Sequence, residues 1–210
     1  MTPTSPATLE VATVAANDLA DDATYRRLGF YDLDLTARSA EAAEFDQCRF
    51  RNTDLGGTSL IRAQFTDCVV ESGNLANLRA ERSSMLRTRL SVLRMTGVNW
   101  INGSLRDVTI SECRADLSSF RFSAFRNVVF EGCNLSRADF QNADVSGVRF
   151  VNCDLSAAQF SHATTSDTRF SNCVLAGIGG VTSLRGAIID GTDLLAFCGT
   201  LASALGISIE

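Results

Sequence analysis

From residue 30 to residue 175 every fifth position is apolar, with Thr165 the one exception. The run begins Phe30, Leu35, Ala40, Phe45, Phe50 and continues in unbroken phase to Phe170 and Leu175; twenty-six of its thirty positions are large apolar residues. Eleven of the thirteen phenylalanines lie on this beat, and only Phe122 and Phe197 fall off it. Two positions before each beat the residue is small in twenty-five of thirty cases, among them Cys48, Thr53, Ala63, Ala138 and Cys153. A period of five fits neither the 3.6-residue helix nor the two-residue strand, so the pattern predicts a repeat architecture. Each unit has one large and one small residue to bury and three to expose, which is the requirement of one side of a narrow, solid coil.

A second period sets the number of sides. Cys113, Cys133, Cys153 and Cys173 follow at intervals of twenty, Cys48 and Cys68 form a shorter pair at the same interval, and Phe130, Phe150 and Phe170 form another such column. Four units per turn, twenty residues in all, account for these columns. Thirty units then make about seven and a half turns, and at an inter-strand spacing near 4.8 Å the rod is about 36 Å long.

The units Cys133-Asn134-Leu135-Ser136-Arg137, Ala138-Asp139-Phe140-Gln141-Asn142, Ala143-Asp144-Val145-Ser146-Gly147 and Cys153-Asp154-Leu155-Ser156-Ala157 resemble the pentapeptide-repeat family, whose pattern is close to Ala-Asp/Asn-Leu-x-x. The resemblance covers residues 28 to 190. It implies an all-β fold, a right-handed quadrilateral β-helix. Arg38, Leu78 and Leu93 depart from the pattern where a small residue belongs, and Arg38 beside Ala40 predicts an irregular first turn near Thr36 to Ala43.

Three segments follow. Residues 1–15 hold both prolines and read as a disordered tail; residues 16–190 read as the β-helix with an N-terminal cap, in which Asn17 to Leu28 forms a short helix over the first turn. Residues 191–210 read as a C-terminal capping or dimerisation helix, N-capped by Thr192, carrying Leu194, Leu195, Cys198, Leu201 and Leu205, and closed by Gly206. Two rods joined end to end through this apolar stripe would make a homodimer. Coils that stack open backbone edges need such covers at both ends.

Composition narrows the chemistry. The chain has a formal charge of −5, seven cysteines, one histidine and no lysine. No signal-like or transmembrane run is present, so the reading is cytoplasmic with reduced thiols and no membrane role. Stacked cysteines pack as small core residues, and no paired Cys-x-x-Cys points to a metal site. His162 falls on an outward position with no nucleophile beside it, a P-loop is impossible without lysine, and Gly177-Ile178-Gly179-Gly180 lacks the third spaced glycine of a dinucleotide loop. Outward carboxylates such as Asp139 and Asp144 have no cleft to shift their pKa values. The chain therefore reads as a non-enzyme without cofactors.

Binding remains. The resemblance implies a precedent, free-standing pentapeptide-repeat proteins of the quinolone-resistance type in bacteria, dimeric rods that resemble duplex DNA and engage DNA gyrase, giving drug or toxin protection. Mimicry requires a negative face. The column centred on Phe45, Phe65, Met85, Leu105, Phe125, Val145 and Thr165 carries Glu44, Asp46, Asp67, Asp107, Asp144 and Asp167 against Arg87, Arg106 and Arg126, a net of −3. The columns starting at Phe30, Leu35 and Ala40 net +1, −1 and +2, and the middle turns hold an arginine belt of Arg79, Arg82, Arg87, Arg89 and Arg94 interspersed with Glu81. The best specific reading is a gyrase-binding partial DNA mimic; the alternative is a general interaction scaffold that uses a mixed-charge face. Direct nucleic-acid binding is excluded by the acidic balance.

Overall fold

Left-handed backbone recurs every five residues from Asp22 to Gly177, at all thirty-two positions of that series. Twenty-seven of these corners are not glycine. The corner follows the beat residue by two, and it turns the chain into the next side. At Asn142, with φ of 58°, the Phe140 carbonyl accepts the Ala143 N–H at 3.1 Å, which closes a four-residue turn whose third residue has the positive φ that favours Asn and Gly. The computed structural model describes residues 3, 8–191, 194–204 and 206–207; Thr192 and Leu205, and the side chain of Leu195, lie outside the described residues.

Four such corners complete a turn, and residues twenty apart stack in parallel, as in Ser104 on Ala124 and Phe130 on Phe150. The result is the expected right-handed quadrilateral β-helix, with about nine turns rather than seven and a half. The extra length lies at the ends. At the start, Thr24–Arg26 and Leu28–Tyr31 are strands, so no helix spans 17 to 28. The reason is Tyr25, which takes the beat position, stacks on Phe45 at 4.9 Å, and satisfies its hydroxyl by donating to the Asp18 carbonyl and accepting the Ala20 N–H. Order begins further upstream still: Glu10–Val11 pairs in parallel with Leu28 and Gly29, Ala12 is buried, and a single helical turn α1 (Val14–Asn17) follows. At the far end, Ile188–Ile189 pairs with Arg169 and Phe170 at a spacing of nineteen.

The family pattern has a physical reading at each position. The beat residue enters a column of stacked rings or aliphatic chains, for instance Phe120, Phe140 and Phe160 at 5.2 and 4.9 Å. The Asp or Asn before it bends its side-chain oxygen onto the N–H two residues on, as from Asp54 to Gly56, Asp139 to Gln141 and Asp154 to Ser156, supplying an acceptor where the corner offers none. The small residue sits inside, and when it is Ser, Thr or Cys it donates to the carbonyl of the large residue twenty-three positions earlier, as from Thr53 to Phe30, Ser123 to Trp100, Cys68 to Phe45 and Cys173 to Phe150, except at Cys113, which donates to the Ser111 carbonyl. Six cysteines are thus buried free thiols, and only Cys198 is exposed. Burial pushes the Cys48 thiol up to about 11 and Cys68 higher still, so neither is a thiolate at neutral pH.

The departures from the pattern also resolve. Arg38 turns its guanidinium to Asp18 at 2.9 Å, and Ser39–Glu41 continues as a regular strand with Ala40 buried, so the first turn is not irregular. Leu78 is buried with Ala80, exchanging large and small within one unit. Leu93 is buried beside Gly73, where a Cβ would lie 2.6 Å from the Thr53 carbonyl and 3.6 Å from Leu93 Cδ2. Likewise Gly103 leaves the space that the Trp100 indole fills.

Helix α2 (Leu194–Ala204) covers the last turn. Phe197, off the beat, is buried in the core, Leu201 packs against it, and Thr200 Oγ1 accepts the Gly177 N–H and donates to the Leu175 carbonyl, closing an open edge. Leu194 and Cys198 face outward. Gly206 ends the helix with φ of 72°, its N–H bonded to the Ser203 carbonyl and that of Ile207 to Ala202, the paired bonds of a Schellman cap.

Three outcomes follow from this packing. Phe140→Asp, which buries a charge between two stacked rings, abolishes the cooperative thermal transition seen by circular dichroism, while His162→Asp at an exposed corner leaves it in place. Val92 is the one β-branched corner, with φ of 54°, so Val92→Asn raises the melting temperature by about 2 to 4 °C, equivalent to about 1 kcal/mol. Titration of the native protein with a thiol reagent detects one thiol, lost in Cys198→Ser, and seven in denaturant; a second fast thiol in the native state contradicts the buried column.

Candidate partner-binding faces

The outward atoms of the rod's four sides belong to the residues flanking each beat and to the corners. On the side predicted to be acidic, corner side chains twenty apart bond to one another along the rod. Arg27 Nε donates to Gln47 at 3.0 Å, Arg87 grips Asp67 through Nε at 2.9 Å and a terminal nitrogen at 2.6 Å, and Asn127 donates to Asp107 at 2.6 Å. Of the six acidic candidates, Asp67 is buried beneath Arg87, Asp46 pairs with Arg26 at 3.1 Å, and Asp144 pairs with Arg126 at 2.6 Å while accepting from Ser146. Glu44 and Asp167 are exposed with no ion pair among the described residues.

The same side is less negative than its sequence column. Because Tyr25 begins this column, Arg26 and Arg27 join it and the net falls from −3 to −1. The charges are also segregated along the axis: the middle turns present Arg87, Arg106 and Arg126, and a shallow groove of about 420 Å³ runs there between Ser84, Ser104, Ala124, Arg106 and Arg126. The arginine belt is distributed likewise. Arg79 and Arg82 lie on the side of Ala40, Arg87 at a corner of the acidic side, Arg89 on the side of Phe30 and Arg94 on that of Leu35, so the belt encircles the rod instead of forming one patch.

Asp144 is not arranged for acid–base work. Partial burial pushes Asp144 up, but the bonds from Arg126 and Ser146 outweigh it and hold the carboxyl below its ordinary range, the opposite of what a proton carrier at neutral pH requires. His162 is an exposed corner with φ of 61°, its backbone N–H donating to Ser183 Oγ. Among the described residues no three His, Cys, Asp or Glu side chains cluster as metal ligands, and no helix is long and apolar enough to cross a membrane. The candidate helix residues separate by role: Leu201 faces the core, Leu194 and Cys198 face outward, and the anchor that seats the helix is Phe197, which the beat does not mark.

Comparison with known proteins agrees with the repeat. One family model, described as a pentapeptide repeat region, matches residues 116–179, and another, pentapeptide repeats in eight copies, matches residues 43–77. No functionally curated protein matches the sequence. Among solved structures the chain is similar to HetL, a pentapeptide repeat protein involved in heterocyst differentiation regulation in the cyanobacterium Nostoc, at 16% identity over 83% of this chain and 90% of that one, with a TM-score of 0.35. It is similar to full-length QnrB1, a plasmid-mediated fluoroquinolone resistance protein, at 20% identity over 88% and 100%, with a TM-score of 0.26. A pentapeptide repeat protein of the Arabidopsis thaliana thylakoid lumen is 21% identical over 53% and 68%, with a TM-score of 0.23. At these values the likenesses carry no functional argument. The unbroken five-residue units, the four-sided coil they build and the two matching repeat models make this chain a member of the pentapeptide-repeat family.

Proposed function

We propose that this protein acts as a non-catalytic binding rod that offers one of its sides to another protein. The observation that supports this reading is the distribution of polar chemistry: it lies on the outer sides of the rod, where acidic and amide groups are bonded to neighbours along the rod or within their own unit, and the depression beside Glu44 is open, with its Arg26 and Asp46 already joined as an ion pair. Such a surface suits recognition by shape and charge rather than turnover.

DNA gyrase is the specific partner to test first, through the acidic side that includes Glu44 and Asp167, as the resemblance of the repeat units to the quinolone-resistance type implies. Charge density limits how far the rod imitates DNA. About nine turns at 4.8 Å span about 43 Å, over which a duplex carries about 25 phosphate charges, against a formal net of −5 here. A gyrase contact would therefore rest on the two unpaired carboxylates and on shape. A scaffold with a different partner is the reading left if gyrase does not respond.

The discriminating experiment adds the purified protein to a gyrase supercoiling assay with and without a fluoroquinolone, beside Glu44→Arg/Asp167→Arg, which leaves the Arg–Asp pairs intact. Inhibition or drug protection by the parent, weakened several-fold in the variant, is the expected result if the acidic side engages gyrase. An unchanged assay at micromolar protein removes the gyrase reading and leaves the binding rod with another partner.

A further inference from the structure

Twelve of the thirteen phenylalanines are accounted for by the core columns and the cap helix. Phe122 is the remaining one. It stands at a corner with φ of 59° and is 50% exposed, and Leu117, the preceding corner of the same turn, also has φ of 59° and is 55% exposed. Both positions are unfavourable to the fold twice over. The left-handed backbone crowds a residue with a Cβ against its own carbonyl, and the exposed ring and isobutyl group forfeit much of the benefit of burial. Asn, the residue at seven of the other corners, would avoid both costs.

The surroundings of these two side chains are those of a docking surface. They bracket the side centred on Phe120, which belongs to the most basic of the four columns, at +2. The Arg121 guanidinium stands over the Phe122 ring, 5.4 Å from its centroid; its Nε has no hydrogen-bond partner and its nearest ion-pair contact, to Asp139, is 3.7 Å. Arg137, at Leu117's corner one turn on, and Arg82, at Phe122's corner two turns back, are exposed and form no ion pair among the described residues. Aromatic and arginine side chains are the types enriched at the centres of protein interfaces.

We infer that this side binds a protein segment in which apolar side chains are flanked by carboxylates, with Leu117 and Phe122 as anchors and Arg82, Arg121 and Arg137 receiving the acidic groups. The anchors take the apolar side chains, and the guanidiniums of Arg82 and Arg137, which form no ion pair among the described residues, supply the charge complement together with Arg121, which is held to Asp139 only at 3.7 Å. This inference is independent of gyrase, because its contacts lie on a different side from Glu44 and Asp167.

The test uses a random-peptide phage library panned on the full chain, with the enriched peptides synthesised and titrated against the parent, Phe122→Asn, Leu117→Asn and Val92→Asn. All three substitutions relieve a left-handed corner and are expected to raise the melting temperature, so lost binding is not lost folding. The expected outcome is enrichment of sequences joining Asp or Glu to Phe, Leu or Trp, binding about tenfold weaker to Phe122→Asn and Leu117→Asn, unchanged on Val92→Asn, and weaker in high salt. Absence of enrichment, enriched peptides without carboxylates, or equal binding to parent and Phe122→Asn overturns it. So does a dimer in light scattering that Phe122→Asn dissolves, which would assign the side to a second copy of this chain.

Discussion

A corner with positive φ every five residues is the constraint on which this molecule depends. Without it the chain runs straight; with it, four short sides close on themselves and every side pairs with the turn above and below. A non-glycine corner costs about 1 to 2 kcal/mol and less for Asn or Asp, whereas a fully buried Phe or Leu contributes about 1.5 to 3 kcal/mol. Each unit is therefore near balance by itself, and only a large beat residue tips it toward the coil. The one polar beat residue fits this reasoning. Thr165 lies where the coil meets its final segment, and its hydroxyl bonds the Ser183 carbonyl at 2.8 Å, so a specific contact replaces bulk where the aromatic columns end.

The core was legible because its signal is one-dimensional. Phe30 through Leu175 declare which atoms are inside, and the twenty-residue columns of cysteine and phenylalanine declare the four sides. The ends were less so. Tyr25 continues the beat, yet the acidic run before it and the two arginines after it carry the marks of a helix, and local charge outweighed a single aromatic position. Phe197 was hidden for the opposite reason, since a helix seated across the last turn follows no five-residue phase. The corners were readable in principle: of the thirty-two positions, seventeen are Asn, Asp or Gly and one is β-branched, a composition that reports left-handed backbone.

The surface was the hardest part to read, because a charge on a solenoid is defined by what lies twenty residues away. Asp67 counts as an exposed acid in a sum over the sequence, but Arg87, one turn on, covers and neutralises it. Asp46 and Asp144 lose their field in the same way to Arg26 and Arg126. Column sums treat these groups as independent, whereas the coil brings them within hydrogen-bond distance. What distinguishes one side from another is thus the small set of groups left unpaired, together with the apolar corners, and not the total charge of a column.

The twenty-residue register has a consequence for how such a rod tolerates change. Adding or removing one five-residue unit would leave every downstream large residue inward and every small residue in its place, so the interior would hardly register the event. Outside, each downstream residue would move to the neighbouring side: Arg137 would no longer share a corner with Leu117, and Asp67 and Arg87 would part if the change fell between them. The architecture thus separates the inheritance of its fold from that of its surface. A change of five residues alters what the molecule presents to its surroundings, and a change of twenty alters only its length.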